Sequence, residues 1–92
     1  MPKVIITAKV DNAAKWEQKF RTHGELFRSQ TVTSPIGIAI NEDNTVAICA
    51  EPKDLLKFME ILESTATAEA MAHDGVDGNT VTVYVMDREF QP

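Results

Sequence analysis

The stretch VIITAKVDNAAKWEQKFRTHGELF, running from Val4 to Phe27, decides how this chain folds. Val4, Ile6, Ala8 and Val10 lie on one side of an alternating pattern, with Ile5, Thr7 and Lys9 on the other. That two-residue period belongs to a strand with one apolar face. Asp11 and Asn12 follow, and both carry side-chain oxygens suited to cap a helix N-terminus. From Ala13 the period changes. Ala13, Trp16, Phe20, His23 and Phe27 recur every three or four residues, which predicts an apolar stripe along a helix of about five turns. Gly24 interrupts that stripe at a cost of about 1 kcal/mol relative to Ala, so the helix is expected to bend or loosen around His23, Gly24 and Glu25.

The same reading extends outward. Ile36, Ile38 and Ile40 alternate with Gly37 and Ala39 in a second strand, and Pro35 at its start suits a sheet edge. Asn41, Glu42, Asp43 and Asn44 are turn formers. Thr45 to Ala50, with Val46, Ile48 and Ala50 on one face, completes a hairpin. Pro52 suits the first turn of a second helix, whose stripe is Leu55, Phe58, Met59, Leu62 and Ala66, widened by Ile61. Ser64 and Thr65 are expected to break this helix, leaving a shorter piece from Ala66 to His73. Asp74 to Asn79 reads as a loop. Thr80 to Met86 is the last strand, with Val81, Val83 and Val85 facing one way and Thr82, Tyr84 and Met86 the other. Beyond it, Phe90 is the one aromatic side chain of a polar end.

The order β-α-β-β-α-β predicts an α+β, ferredoxin-like domain spanning residues 1–92. Its four-stranded antiparallel sheet has two helices on one face, with the first and third strands central. A chain of 92 residues with 43% apolar and 25% charged residues is an ordinary globular composition, and its core is small. The far sheet face still carries Ile5, Ala47, Cys49, Tyr84 and Met86. A half-apolar bare sheet is an interaction surface, so a homodimer packed sheet on sheet is expected.

Nine basic against fourteen acidic residues give a net charge of −5, which argues against nucleic acid or a membrane surface as partner. Cys49 has no second cysteine to pair with. Met1 to Thr7 lacks the layout of an export signal, and no apolar run is long enough to span a bilayer. Cytoplasmic residence is the default expectation.

His23 is the first candidate for chemistry, because it sits on the apolar stripe between Phe20 and Phe27. There an imidazole is either a general base facing a ligand or a core histidine bonded to one backbone carbonyl. His73, at a helix C-terminus before Gly75, is either a group at a pocket mouth, including an axial haem ligand, or a capping residue. Trp16, Phe20, Phe27, Phe58 and Met59 either line a pocket for a flat apolar ligand or fill the core. Asp74, Asp77 and Asn79 fail the spacing of a calcium loop, since Val76 falls where an oxygen ligand belongs. The two histidines with Glu25 and Asp74 have no recognised metal-ligand spacing. No phosphate loop, nucleophile elbow or zinc-protease motif is present, and Cys49 has no neighbouring base. No cofactor and no metal are expected.

The Trp16-x-x-x-Phe20-x-x-His23 stripe and the Ala70-Met71-Ala72-His73-Asp74-Gly75-Val76 segment, with the element order and length, resemble the dimeric α+β barrel superfamily. These are ferredoxin-like proteins similar to antibiotic-biosynthesis monooxygenases, and the likeness is greatest to their small uncharacterised families. The resemblance implies two sheets closing into a barrel and a pocket between sheet and helices in each subunit. It also implies a choice among cofactor-independent oxygenation, haem degradation and lactone isomerisation. Haem-degrading and quinone-forming members carry an asparagine in the first strand, where Val4 to Val10 offers only Thr7 as an uncharged polar residue.

Two readings of function follow. The first is a homodimer binding a small flat apolar metabolite between sheet and helices, with His23 moving a proton in a monooxygenase or isomerase reaction. The alternative is a non-catalytic structural, stress-related or partner-binding dimer. A ligand-sensing module is a third, disfavoured by the lack of an effector domain.

Overall fold

A computed structural model describes residues 2–92. The strands are β1 (Lys3–Lys9), β2 (Gly37–Ile40), β3 (Thr45–Ala50) and β4 (Thr82–Met86). The helices are α1 (Ala13–Phe20), α2 (Gly24–Ser29), α3 (Leu55–Leu62) and α4 (Thr65–His73). The sheet order is β2-β3-β1-β4, every pair antiparallel, so the first and third strands are central as expected. The ferredoxin-like plan stands, with each helical arm in two pieces: the order is β-α-α-β-β-α-α-β.

The division of the first arm corrects the single five-turn helix. Thr22 N–H and His23 N–H reach back three residues, to the carbonyls of Lys19 and Phe20, both at 3.0 Å. The Thr22 hydroxyl also donates to the Lys19 carbonyl at 2.6 Å. These tighter turns end α1, and a new helix starts at Gly24. The apolar stripe survives the break. The Trp16 and Phe20 ring centroids lie 5.0 Å apart, and Phe20 and Phe27 lie 5.3 Å apart.

Capping side chains set the other helix starts. Asn12, not Asp11, caps α1 by accepting from Lys15 N–H at 3.0 Å. Asn44, at φ 62° in the hairpin turn, accepts from Ala13 N–H at 3.0 Å and from Val10 N–H, again at 3.0 Å. The β2–β3 turn thus holds the β1–α1 junction. The second arm begins at Leu55, because Asp54 accepts from Lys57 N–H at 3.1 Å; Pro52 is instead buried in the connection ahead of it. Its break at Ser64 falls where expected, with Ser64 capping α4. The last strand starts at Thr82 because Gly78–Thr80 forms a short 3₁₀ turn.

The pairing aligns Ile38, Ile48, Ile6 and Val83 in one row beneath the helices. Around that row Val4, Val46, Ala50, Trp16, Val32 and Phe58 form the buried core. The next row, Gly37, Cys49, Ile5 and Tyr84, lies on the other face with no element over it. Among the described residues no helix is long and apolar enough to cross a membrane.

Candidate functional site

The break between α1 and α2 leaves His23 just ahead of the second helix, turned toward α4. Its Nε2 lies 2.8 Å from Oδ2 of Asp74. Asp74 follows the last residue of α4 and is 7% exposed. A buried carboxylate needs partners, and a specific turn delivers this one to them. Gly75 adopts φ +77°, its N–H donates to the Ala72 carbonyl at 3.2 Å, and Val76 N–H donates to the Met71 carbonyl at 3.0 Å. That pair of bonds is a Schellman motif with glycine in the left-handed position. The turn is tied to the β1–α1 junction by Asp11 N–H on the Gly75 carbonyl at 3.0 Å. A Cβ on Gly75 would also meet Asp11 Oδ2 at 3.2 Å, so a side chain there is strained by its φ and crowded by Asp11.

The second oxygen of Asp74 has its own imidazole. His73 Nδ1 lies 3.2 Å from Oδ1, and the His73 side chain is 71% exposed against 22% for His23. One carboxylate therefore stands between an inner and an outer histidine. Lys19 Nζ donates to the His73 carbonyl at 3.0 Å, placing a cation at the negative end of α4. With His23 Nε2–H donating to Asp74, its Nδ1 is left as the basic nitrogen. The arrangement is the one by which a carboxylate orients an imidazole base.

His23 and Asp74 line a cavity of about 70 Å³ between the sheet and the helices. The apolar wall includes Ile6 and Ile48 from the sheet and Trp16, Phe20 and Phe27 from the first arm. Two further polar residues reach it, and both are bound to backbone. Gln30, 1% exposed, donates to the Phe58 carbonyl at 3.1 Å, and Thr67 donates its hydroxyl to the Ile61 carbonyl at 2.6 Å.

Of the residues singled out from sequence, Trp16, Phe20, His23 and Phe27 meet at this cavity. Phe58 does not, since it is fully buried in the core. Met59 lines a separate surface cleft of about 430 Å³ with Leu62, Met71 and Val83. His73 points outward and touches the site only through Asp74. Asp74, read from sequence as part of a turn and weighed beside the histidines only as a metal ligand, is the hydrogen-bond partner of His23 that sequence reasoning did not assign. A short-range signal for it existed in the helix end at His73 followed by Gly75. Nothing local pointed to His23, 51 positions earlier. Glu25, weighed with these three as a ligand, is exposed on α2.

No protein-family model matches the chain, and no curated protein matches it by sequence. Solved structures do match. A Bordetella bronchiseptica protein assigned provisionally as an antibiotic biosynthesis monooxygenase superimposes with a TM-score of 0.74 at 10% identity, covering 97% of each chain. SnoaB, a cofactor-independent oxygenase from Streptomyces nogalater, gives 0.69 at 16% identity, over 98% of this chain and 94% of its own. NE2512, a Nitrosomonas europaea protein of unknown function, gives 0.65 at 10% identity, over 99% and 93%. The chain thus has the ferredoxin-like fold of antibiotic biosynthesis monooxygenase domain proteins.

Proposed function

We propose that this chain, as a homodimer, binds a small flat apolar molecule between sheet and helices, and that His23 takes a proton from it. The observation that carries the reading is the His23–Asp74 pair at 2.8 Å in an otherwise largely apolar wall. His23 Nδ1 accepts the proton of an acidic C–H or O–H. The imidazolium keeps its Nε2–H on Asp74, and the ligand is left as its conjugate anion. Returning the proton to another carbon completes an isomerisation. Passing electrons from the anion to dioxygen begins a cofactor-independent oxygenation, the activity named for SnoaB. Metabolite pockets usually span about 300–1,000 Å³, so a ring enters this 70 Å³ cavity only as Phe20 and Phe27 swing aside.

The homodimer reading is supported by the bare sheet face. Ile5, Ala47 and Cys49 are half-buried there, while Tyr84 and Met86 are 53% and 51% exposed. Small side chains at Gly37, Ala39 and Ala47 leave that surface flat enough for a second sheet.

Protein NMR with naphthols, naphthoquinones and polyphenols tests the ligand reading. Resonances of Trp16, Phe27 and His23 are expected to move together with at least one compound, and the shifts should vanish in Phe27→Trp if that ring blocks entry. A complete absence of shifts at millimolar ligand overturns it. The small volume of the cavity favours the second reading, a partner-binding dimer in which His23 and Asp74 only lock the two helical arms together. That reading expects the same pair to matter for stability and no ligand to compete with it.

A further inference from the structure

The rings of Phe20 and Phe27 have a second side. Away from the cavity they form one wall of a cleft of about 360 Å³, five times the inner volume, floored by Val32, Ile36 and Ile38. Its polar groups are Arg21, Arg28, Thr33 and Ser34, and among the described residues no acidic side chain lines it. In a chain with fourteen acidic residues and nine basic ones, a cleft with two arginines and no carboxylate is locally reversed in charge. Arg21 is occupied, with Nε and Nη2 on Glu17 Oε2 at 2.9 and 2.7 Å. Arg28 has no carboxylate partner among the described residues.

Two backbone features build this place. A Cβ on Gly24 would stand 3.1 Å from Arg28 Nη1, so the glycine that breaks the helical stripe is also what lets the guanidinium lie against the start of α2. Thr31 has φ +67°, strained for a β-branched residue. Its turn is held by Lys53 N–H on the Thr31 carbonyl at 3.1 Å and by Asp54 N–H on the Thr31 hydroxyl at 2.9 Å. The turn ends α2, sends Val32 into the core and sets Thr33 and Ser34 on the cleft that Arg28 also lines.

We infer that this cleft is a carboxylate subsite: Arg28, with the hydroxyls of Thr33 and Ser34, receives the anionic end of a ligand whose flat apolar body passes between Phe20 and Phe27, as those rings swing aside, toward His23. The inference rests on the ligand reading above and narrows its substrate class to aromatic or alicyclic monocarboxylates. Arginine suits the role because its planar fork meets a carboxylate through two hydrogen bonds.

The test compares 2-naphthoate with 2-naphthamide, a neutral molecule of the same shape, by calorimetry and NMR on the full chain. The naphthoate is expected to bind about tenfold more tightly, as one charge-assisted pair implies. Arg28→Met should abolish that preference and leave amide binding unchanged. Arg28→Lys should keep part of it, and Gly24→Ala should weaken it by displacing the guanidinium. Arg28 is exposed, so these variants are expected to fold, which circular dichroism checks. Equal affinity for the two probes, or an Arg28→Met variant that keeps the preference, overturns the subsite and leaves the cavity reading standing. Failure of both probes to bind overturns the two together.

Discussion

The two faces of the sheet are built from the same strands and have opposite fates. Ile38, Ile48, Ile6 and Val83 run beneath the helices, while Gly37, Cys49, Ile5 and Tyr84 run across the uncovered side, one residue out of phase. Strand formers stand on both, isoleucine and valine beneath the helices and isoleucine and tyrosine across the bare side, where Gly37 is the one poor former. What separates them is a cover. The helical arms bury one row and enclose His23 and Asp74, whereas the other row has only solvent or a second copy to meet. In the function proposed above, the covered face serves the chemistry of a single chain and the uncovered face its association.

Substitutions on the two faces should therefore fail in different ways. The largest effect is expected from Phe58→Ala, which empties a fully buried position on the covered side. Its cost of about 3–5 kcal/mol should lower the denaturation midpoint sharply, since small domains have only about 5–15 kcal/mol in reserve. Ile5→Glu on the bare face should leave circular dichroism intact and halve the mass seen in sedimentation. If it unfolds the chain as Phe58→Ala does, the two faces are not separable. Asp74→Asn takes the negative charge from both histidines while keeping the shape. A loss of about 1–3 kcal/mol is expected. Nitrogen NMR of the imidazoles should also show His23 no longer held as the Nε2–H tautomer, and an unchanged tautomer would mean Asp74 does not orient it. His73→Gln, touching the same carboxylate from solvent, should cost under about 1 kcal/mol, as exposed pairs do.

The smallest effect belongs to the hairpin turn, far from either comparison row. Hydrogen bonds from Thr45, its side chain first and its backbone N–H second, hold the Asp43 carboxyl below its ordinary 3.8. A depressed carboxylate contributes stability above its unfolded value and loses it as pH falls through the folded one. Asp43→Asn should thus lower stability slightly above pH 3.8 and leave it unchanged well into acid, so that the acid limb of the profile flattens in urea melts. An acid limb as steep as that of the unsubstituted chain would show that the Asp43 carboxylate contributes nothing to the turn.

Much of the fold was legible because its signals are short-range. The alternation of Val4, Ile6 and Ala8 told which face of the first strand is buried, and the turn formers Asn41 to Asn44 announced the hairpin. Pro35 pointed to an edge, and β2 is one. The break at Ser64 was legible as well, since a hydroxyl cap is a local event. The break after Phe20 was only half legible. Gly24 signalled weakness, but the turns that end α1 come from Thr22 and His23, three residues from their acceptors. Of the candidate site, the stripe of Trp16, Phe20, His23 and Phe27 could be read, because helical spacing groups these side chains before any tertiary contact exists. Phe58 and Met59 shared the second stripe, yet one fills the core and the other faces a separate cleft. Spacing along a helix does not say how that helix is rotated against its neighbour.

By itself, then, the sequence determined the strand faces, the sheet order, the surplus of apolar surface on the far side and the position of His23 on an inward stripe. The faces and the stripe follow from periodicity within a few residues, and the sheet order follows from the element order and the handedness of crossovers. Only the tertiary structure decided that His23 would meet a carboxylate rather than a backbone carbonyl, and that the carboxylate would be shared with His73. It also decided that Arg28 would lie over Gly24 with no acidic partner among the described residues. Those outcomes depend on where the left-handed turns at Gly75 and Thr31 send the chain. Their direction is held by hydrogen bonds to Asp11, Lys53 and Asp54, residues remote in sequence and adjacent only once the sheet has formed.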